Sequence, residues 1–319
     1  MKNLKYLFGP APSVRLGRSL GVNVVPSKIC SMNCLYCEAG VTKSLTAHRR
    51  EYFPPEEIVE EFKNNFHLFK DITDVITVTG AGEPTLNSGL DYIVNGIKAH
   101  SLGKPVAILT NSTMLHHKEV FDSLLKFDIV VPSLDSALDE SMRRVDGLHK
   151  SLSPAIIRDS LKKFCSCYKG RLFLEVLFCK GINDSKEDLE ALAEYLKDVP
   201  LEKIQLGTVT RPPAHEGTQA VSEVFLDMAV DYLRLFSLPA ERLKGFKSSG
   251  EGSLSALELK ERVEALLKLR PCTAADMAGV FGVEQGKVVE VLNSLVSEKR
   301  VIIRNFGDTF YHHISVPLK

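Results

Sequence analysis

Short apolar runs rich in β-branched residues alternate along this chain with longer stretches whose apolar positions recur at helical spacing. The first run, residues 21–25 (GVNVV), reads as a strand. Residues 54–69 carry the helical period and open on Pro54 and Pro55, which suit a first helical turn. The alternation then repeats. Strands are predicted over 74–79 (DVITVT), 105–110 (PVAILT), 128–134 (DIVVPSL), 171–178 (RLFLEVLF) and 203–209 (KIQLGTV). Helices follow them over 87–99, 117–127, 154–168, 185–197 and 222–236. Pro132 weakens the end of its strand, and Ser185, with Asp188 three residues on, caps the helix it opens. Six βα units in series predict an α/β fold with a parallel sheet and helices packed outside it. Eight units would close a barrel; six predict an open, partial (β/α)6 barrel with its site at the C-terminal ends of the strands.

Residues 244–255 (KGFKSSGEGSLS) are rich in Gly and Ser and read as a linker. Beyond them the pattern changes to helices over 256–269, 273–281 and 284–299, then two short strands, 301–303 and 310–313, around a turn at 305–308. Thr273 is placed to cap the second of these helices and Gly282 to end it. Three helices and a hairpin predict a winged helix-turn-helix. The expected division is therefore 1–243 for the partial barrel, 244–255 for the linker and 256–319 for the winged helix.

Composition changes this picture little. Of 319 residues, 44% are apolar and 25% charged, as in folded soluble domains. Lys plus Arg and Asp plus Glu both total 40, so net charge gives no push toward nucleic acid or membrane. No apolar run approaches the length needed to span a bilayer, and the first residues lack a secretory signal, so a cytosolic protein without a membrane partner is expected. The seven cysteines are odd in number, and three crowd into eight residues, which suits a reducing compartment and a metal rather than disulfides.

Those three are Cys30, Cys34 and Cys37, in the segment KICSMNCLYCEAG just after the first predicted strand. Thiolates are the soft ligands iron–sulfur clusters take, and three on one tight loop can face three corners of a cubane, leaving its fourth iron open. Zinc is the rival metal. A structural zinc site calls for a fourth nearby ligand, and His48, the nearest later histidine, stands at no spacing typical of one. Cys165, Cys167, Cys179 and Cys272 repeat no cluster spacing and read as ordinary buried thiols.

C-x3-C-x2-C after a first strand, with the aromatic Tyr36 before the last cysteine, resembles the signature of the radical S-adenosylmethionine (SAM) superfamily. The resemblance implies one 4Fe–4S cluster on Cys30, Cys34 and Cys37. It implies SAM chelated to the fourth iron through its amino and carboxylate groups, and reductive cleavage of SAM to a 5′-deoxyadenosyl radical that abstracts hydrogen from a substrate. The second strand ends in TGAGEPTL, where Gly80, Gly82, Glu83 and Pro84 match the family's GGEP-like motif around an inserted Ala81. Glycines allow close backbone approach, and a carboxylate suits an ammonium group. Asn111, Ser133 and Asp135, at later strand ends, fall where the family places ribose contacts. Gly181 and Ile182 resemble its adenine-contacting segment, and Arg143 or Arg144 is placed to reach the SAM carboxylate.

The stretch over residues 9–37, with GAGEPTL and KGIND (180–184), is similar to the branch that includes the wyosine-base-forming enzymes of tRNA. Substrate is not fixed by that likeness: RNA, peptide and small molecule all remain open. Candidates for substrate contact are Glu175, a charge inside an apolar strand, and Arg211, in TVTRPPAHEG. The resemblance also implies an electron donor such as flavodoxin or ferredoxin. The third C-terminal helix, EQGKVVEVLNSLVSEK, lacks a dense basic face, so the winged helix is expected to meet protein, peptide or RNA rather than DNA. The rival reading, an iron–sulfur redox-sensing transcriptional regulator, would have no use for GAGEPTL.

Overall fold

A computed structural model describes residues 4–13, 15–243, 254–267, 271–307 and 309–315. Most of the linker expected over 244–255 lies outside the described residues. In chain order the elements begin with strands β1 (Leu7–Ser13), β2 (Gly17–Asn23), β3 (Ile29–Cys30) and β4 (Ser44–Leu45). Then come α1 (Pro55–Asn65), β5 (Val75–Thr79), α2 (Leu90–His100), β6 (Val106–Thr110), α3 (Lys118–Leu124) and β7 (Ile129–Pro132). Helices α4 (Asp139–Asp146) and α5 (Pro154–Cys167) precede β8 (Arg171–Phe178), α6 (Lys186–Leu196), β9 (Lys203–Thr208), α7 (Glu223–Leu235) and β10 (Ala240–Arg242). The remainder is α8 (Ala256–Leu267), α9 (Ala274–Phe281), α10 (Gln285–Ser297), β11 (Val301–Phe306) and β12 (Thr309–Ile314).

The main sheet runs β1-β2-β5-β6-β7-β8-β9-β10. All neighbours are parallel except β1, which pairs antiparallel with β2 at one edge. Among the described residues, seven parallel strands thus stand where six were expected. The additional one, β10, is three residues long, too short to show a period. β1 was missed because LFGPAPS holds Gly and two prolines; an edge position tolerates prolines that a central strand would not. α4 was missed because DESMRRVD is polar along most of its length.

Strand residues alternate between two apolar layers, as period-two geometry requires. Ile76, Val78, Ile108, Val130, Leu174, Val176 and Ile204 pack with the helices in the main core. Val75, Ala107, Ile129, Val131 and Phe173 form a second cluster on the opposite face, joined by Leu16. Arg15, in the turn between β1 and β2, forms an ion pair with Glu175 in β8. Four strand spacings separate β2 from β8, which in a flat sheet would be ~19 Å. The contact therefore requires the sheet to curl into a trough, consistent with a partial barrel.

Local chemistry explains the helix ends. Ser185 Oγ accepts from the Asp188 N–H, and Ser222 Oγ from the Phe225 N–H. Thr273 and Asp276 form a reciprocal capping box, and Gly282 closes the same helix in the left-handed region at φ 62°. Thr273→Ala is expected to cost about 1 kcal/mol, read as faster amide exchange confined to α9 and its neighbours.

Three helices followed by the antiparallel β11–β12 hairpin build a separate apolar cluster around Val263, Met277, Val288, Leu292 and Leu295. α8 and α9 pack on β1, and Ala11 of that strand joins the cluster. The Tyr311 hydroxyl donates to the Thr210 carbonyl just after β9, at 2.7 Å. The C-terminal segment thus touches both β1 and the end of β9, bridging the open side of the trough.

Candidate active site

The loop after β2 carries Cys30, Cys34 and Cys37, all three partly buried and none in a disulfide. Two segments zip onto it. From β5, Lys28 N–H donates to the Ala81 carbonyl (2.7 Å) and Glu83 N–H to the Ile29 carbonyl (3.2 Å). The residue inserted between the two motif glycines therefore fastens the entrance of the cysteine loop. From the end of α4, the Asp146 and Gly147 carbonyls accept from Asn33 N–H, the Val145 carbonyl accepts from Leu35 N–H, and His149 N–H donates to the Ser31 carbonyl. A Cβ on Gly147 would lie 2.7 Å from the Asn33 carbonyl oxygen. Gly80 and Gly82 obey the same constraint: Cβ atoms there would stand 2.7 Å from Val25 Cγ1 and 2.0 Å from the Ile29 carbonyl oxygen.

Polar side chains surround the thiols. Asn111 Nδ2 lies 3.6 Å from Cys30 Sγ and 3.0 Å from Ser31 Oγ. Lys28 Nζ lies 3.8 Å from Cys37 Sγ and donates to the Gly40 carbonyl. Cys34 Sγ faces Asp146 Oδ1 at 3.7 Å. Burial, with the Glu83 charge second, pushes the Cys30 thiol up to about 12. Burial, with Asp146 second, also raises the Cys34 thiol well above its ordinary range. Taking up iron must therefore expel protons from these thiols.

Glu83 is buried, and burial raises its carboxyl above the usual range. Its Oε1 accepts from the Thr85 N–H and from the Thr85 and Thr110 hydroxyls, at 2.6–3.0 Å. Its Oε2 accepts from Asn111 N–H at 2.8 Å, which leaves that oxygen the freer for a cationic ligand. Glu83 thus also locks the end of β5 to the end of β6.

Asp135 and Tyr36 meet: the Tyr36 hydroxyl donates to Asp135 Oδ2, and Leu177 N–H donates to Oδ1 at 2.8 Å. Asp146 hydrogen-bonds Asp135. Two carboxyl groups buried together cannot both ionise. Burial, and then Asp135, raises the Asp146 carboxyl well above the usual carboxylate range. Asn183, fully buried, holds this corner by donating to the Asp135 and Leu177 carbonyls. Ile182 packs with Tyr36, Leu177 and Phe306 against Val145, Cys179 and Val209. Gly181, at φ 72°, accepts from Arg144 through its carbonyl. Ser133, partly exposed, follows β7 beside Asn111 and Ser112.

The two substrate candidates are both engaged. Glu175 is paired with Arg15 in mid-strand rather than at a solvent-facing end. Arg211 binds Glu38 at 2.7 Å and stands 4.0 Å from Asp276 of α9, clasping the cysteine loop to the C-terminal helices. The reading of four buried thiols needs one correction: Cys165, Cys179 and Cys272 are buried, but Cys167 is exposed, two positions round the helix from Cys165. Sequence reasoning missed Lys28, Glu38, Asp146, Gly147 and Asn183. Only Gly147, a glycine just past a basic helical turn, gave a usable signal.

The donor set suits a cluster better than a single ion. Among the described residues no three His, Cys, Asp or Glu side chains converge closely enough to hold one metal ion. Three soft thiols on one loop, with an N–H and an ammonium directed at two of the sulfurs, fit an anionic thiolate-ligated cluster. Among the described residues no helix is long and apolar enough to cross a membrane.

Comparison with known proteins agrees. The family model of the radical SAM superfamily matches residues 24–163. A UPF0026 protein of Helicobacter pylori (strain 26695) is 30% identical over 315 residues, covering 98% of each chain. A Brachyspira hyodysenteriae protein named GTPase Obg is 31% identical over 297 residues, and this chain spans only 43% of it. A probable dual-specificity RNA methyltransferase RlmN of Flavobacterium psychrophilum is 25% identical over 181 residues, 54% of this chain and 50% of that one. Among solved structures, a radical SAM methyltransferase from Sphaerobacter thermophilus superposes with a TM-score of 0.56 at 19% identity, over 70% of this chain and 66% of that one.

Proposed function

The chain belongs to the UPF0026 family and is a radical SAM enzyme using a 4Fe–4S cluster and SAM, and we propose that it abstracts hydrogen from an RNA substrate. In this reading Cys30, Cys34 and Cys37 hold the cluster. Gly80, Gly82 and Glu83 receive the amino group of SAM, Asn111, Ser133 and Asp135 face the ribose, and Tyr36, Gly181 and Ile182 flank the adenine. When bound, the reduced cluster supplies the electron that splits SAM and yields a 5′-deoxyadenosyl radical. The protein's own part is to fix the loop and to shield the trough. An electron donor such as flavodoxin or ferredoxin completes the scheme.

One observation carries the substrate class. Lys43, Arg50, Arg143, Arg144, Lys150 and Lys180 are exposed on the loops and helix that follow the C-terminal ends of β2, β7 and β8. Among the described residues none of them is in an ion pair; exposed cations elsewhere, such as Lys63, Lys70 and Lys169, are also outside ion pairs, so what distinguishes these six is that they gather on one face of the molecule. Glu51, Asp139 and Glu140 are exposed carboxylates interspersed with them, and Asp139 is taken up by Arg158. A neutral protein that leaves cations without ion-pair partners round its site mouth suits a polyanion. The likeness to the RNA methyltransferase and to the wyosine-forming branch supports the same class.

We read residues 256–319 as a winged helix. The exposed face of its third helix carries Glu284 and Glu290 beside Lys287, which suits contact with protein, peptide or RNA better than DNA.

Anaerobic filter binding with total tRNA and with an unstructured RNA tests the substrate class. Binding should fall steeply with salt. The triple variant Lys43→Glu, Lys150→Glu, Lys180→Glu should lower the log–log slope by about 2, as loss of three phosphate contacts on single strands requires. No RNA retention at low salt, or an unchanged slope in a variant with full cluster content, would rule RNA out in favour of a peptide or small molecule.

A further inference from the structure

Along β11 the shielding is uneven: Val301 is buried in the C-terminal cluster, residues 302–305 are exposed, and Phe306 is shielded again. Phe306 is not serving its own module. It packs against Val145, Cys179 and Val209, the small cluster that also carries Tyr36, Leu177 and Ile182. Tyr36 lies between Cys34 and Cys37 on the cysteine loop; Leu177 and Ile182 flank the end of β8; Val209 follows β9. The tip of the C-terminal hairpin therefore sits among residues at the mouth of the trough. Its position there is pinned by the Tyr311 hydroxyl on the Thr210 carbonyl and by Arg211 between Glu38 and Asp276.

We infer that Phe306 forms one wall of the pocket that holds the adenosyl group of SAM, making the C-terminal segment part of the cofactor site. The inference rests on the radical SAM reading above. A ligand anchored at the cysteine loop by its amino and carboxylate ends presents one flat, weakly polar portion, the purine. The polar strand ends bearing Glu83, Asn111 and Ser133 do not suit that ring. The neighbouring apolar patch does, because Tyr36, Ile182 and Phe306 all keep part of their surface open. Pockets for such ligands are lined in this way, with aromatic and aliphatic side chains around the ring and few polar groups.

The test is SAM and S-adenosylhomocysteine binding, measured anaerobically by calorimetry on cluster-loaded protein, with hydrogen exchange of residues 301–314. Phe306→Ala should weaken both ligands roughly tenfold, the scale of one lost aromatic contact and its buried area. Phe306→Tyr should restore affinity. Phe306→Leu, which keeps the apolar bulk that docks the hairpin, should fall between. Tyr311→Phe removes the anchor to Thr210 but keeps the Phe306 ring, and should lose clearly less affinity than Phe306→Ala. Ligand should also slow exchange at the hairpin tip. Unchanged affinity in Phe306→Ala, or equal losses in Phe306→Ala and Tyr311→Phe, would overturn the assignment and leave Phe306 a docking residue. A wild-type protein that binds neither ligand would instead sink the cofactor reading itself.

Discussion

Replacing Cys34 by Ala should abolish cluster binding and, with it, release of 5′-deoxyadenosine under dithionite and SAM. The loop offers three thiols and no substitute: the neighbouring donors at Cys34 are the Met32 thioether at 3.9 Å and the Asp146 carboxyl at 3.7 Å. Burial and the neighbouring Asp135 disfavour the charged form of Asp146, which makes it a poor ligand for iron. With two thiolates left, a cubane has two exposed corners and is lost to solvent or chelator. Iron content and the reduced-cluster paramagnetic signal should both drop to background, while Cys167→Ala, at an exposed position on α5, should retain both. Full iron content in Cys34→Ala would remove this cysteine from the ligand set.

The second large effect is expected at Gly82. A methyl group there would stand 2.0 Å from the Ile29 carbonyl oxygen and 3.0 Å from its carbonyl carbon. The obstacle is backbone, which cannot rotate away as a side chain can. The same carbonyl accepts from Glu83 N–H, so moving it breaks the zip between β5 and the cysteine loop. Gly82→Ala should destabilise the protein by about 1–3 kcal/mol, the range for over-packing, and should lower cluster occupancy further than that loss of stability alone would. Gly286→Ala provides the comparison: nothing lies within 4 Å of a Cβ at that position in α10, and Ala is the better helix former by up to about 1 kcal/mol. Thermal melts of the two variants in the cluster-free state separate them. Equal melting points would mean that Gly82 is not needed for close approach.

The barrel was legible because each central strand is buried on both faces and so reads as a β-branched apolar run, as in VAILT and RLFLEVLF. The cysteine loop was legible because three thiols crowded into eight residues suit little besides a metal. What could not be read was what depends on distant pairing. Glu175 looked like a free charge inside a strand; its partner Arg15 stands 160 residues earlier. Arg211 looked available to a substrate; Glu38, 173 residues away, takes it. Asp146 gave no sequence signal, since the polar helix it ends was itself not predicted, and only the fold shows it against Asp135 and Cys34. Phe306 read as a turn residue in a separate module, because the place it fills is built from α4, β8, β9 and the cysteine loop.

The C-terminal helices that lie on β1, with Tyr311 reaching Thr210, have a consequence for biosynthesis. The stretch that walls in β1 and the cysteine loop is synthesised long after both of them. A nascent chain therefore exposes an uncovered edge strand and oxidisable thiols until α8 to β12 have been made, so iron–sulfur delivery should favour chains that already carry those elements.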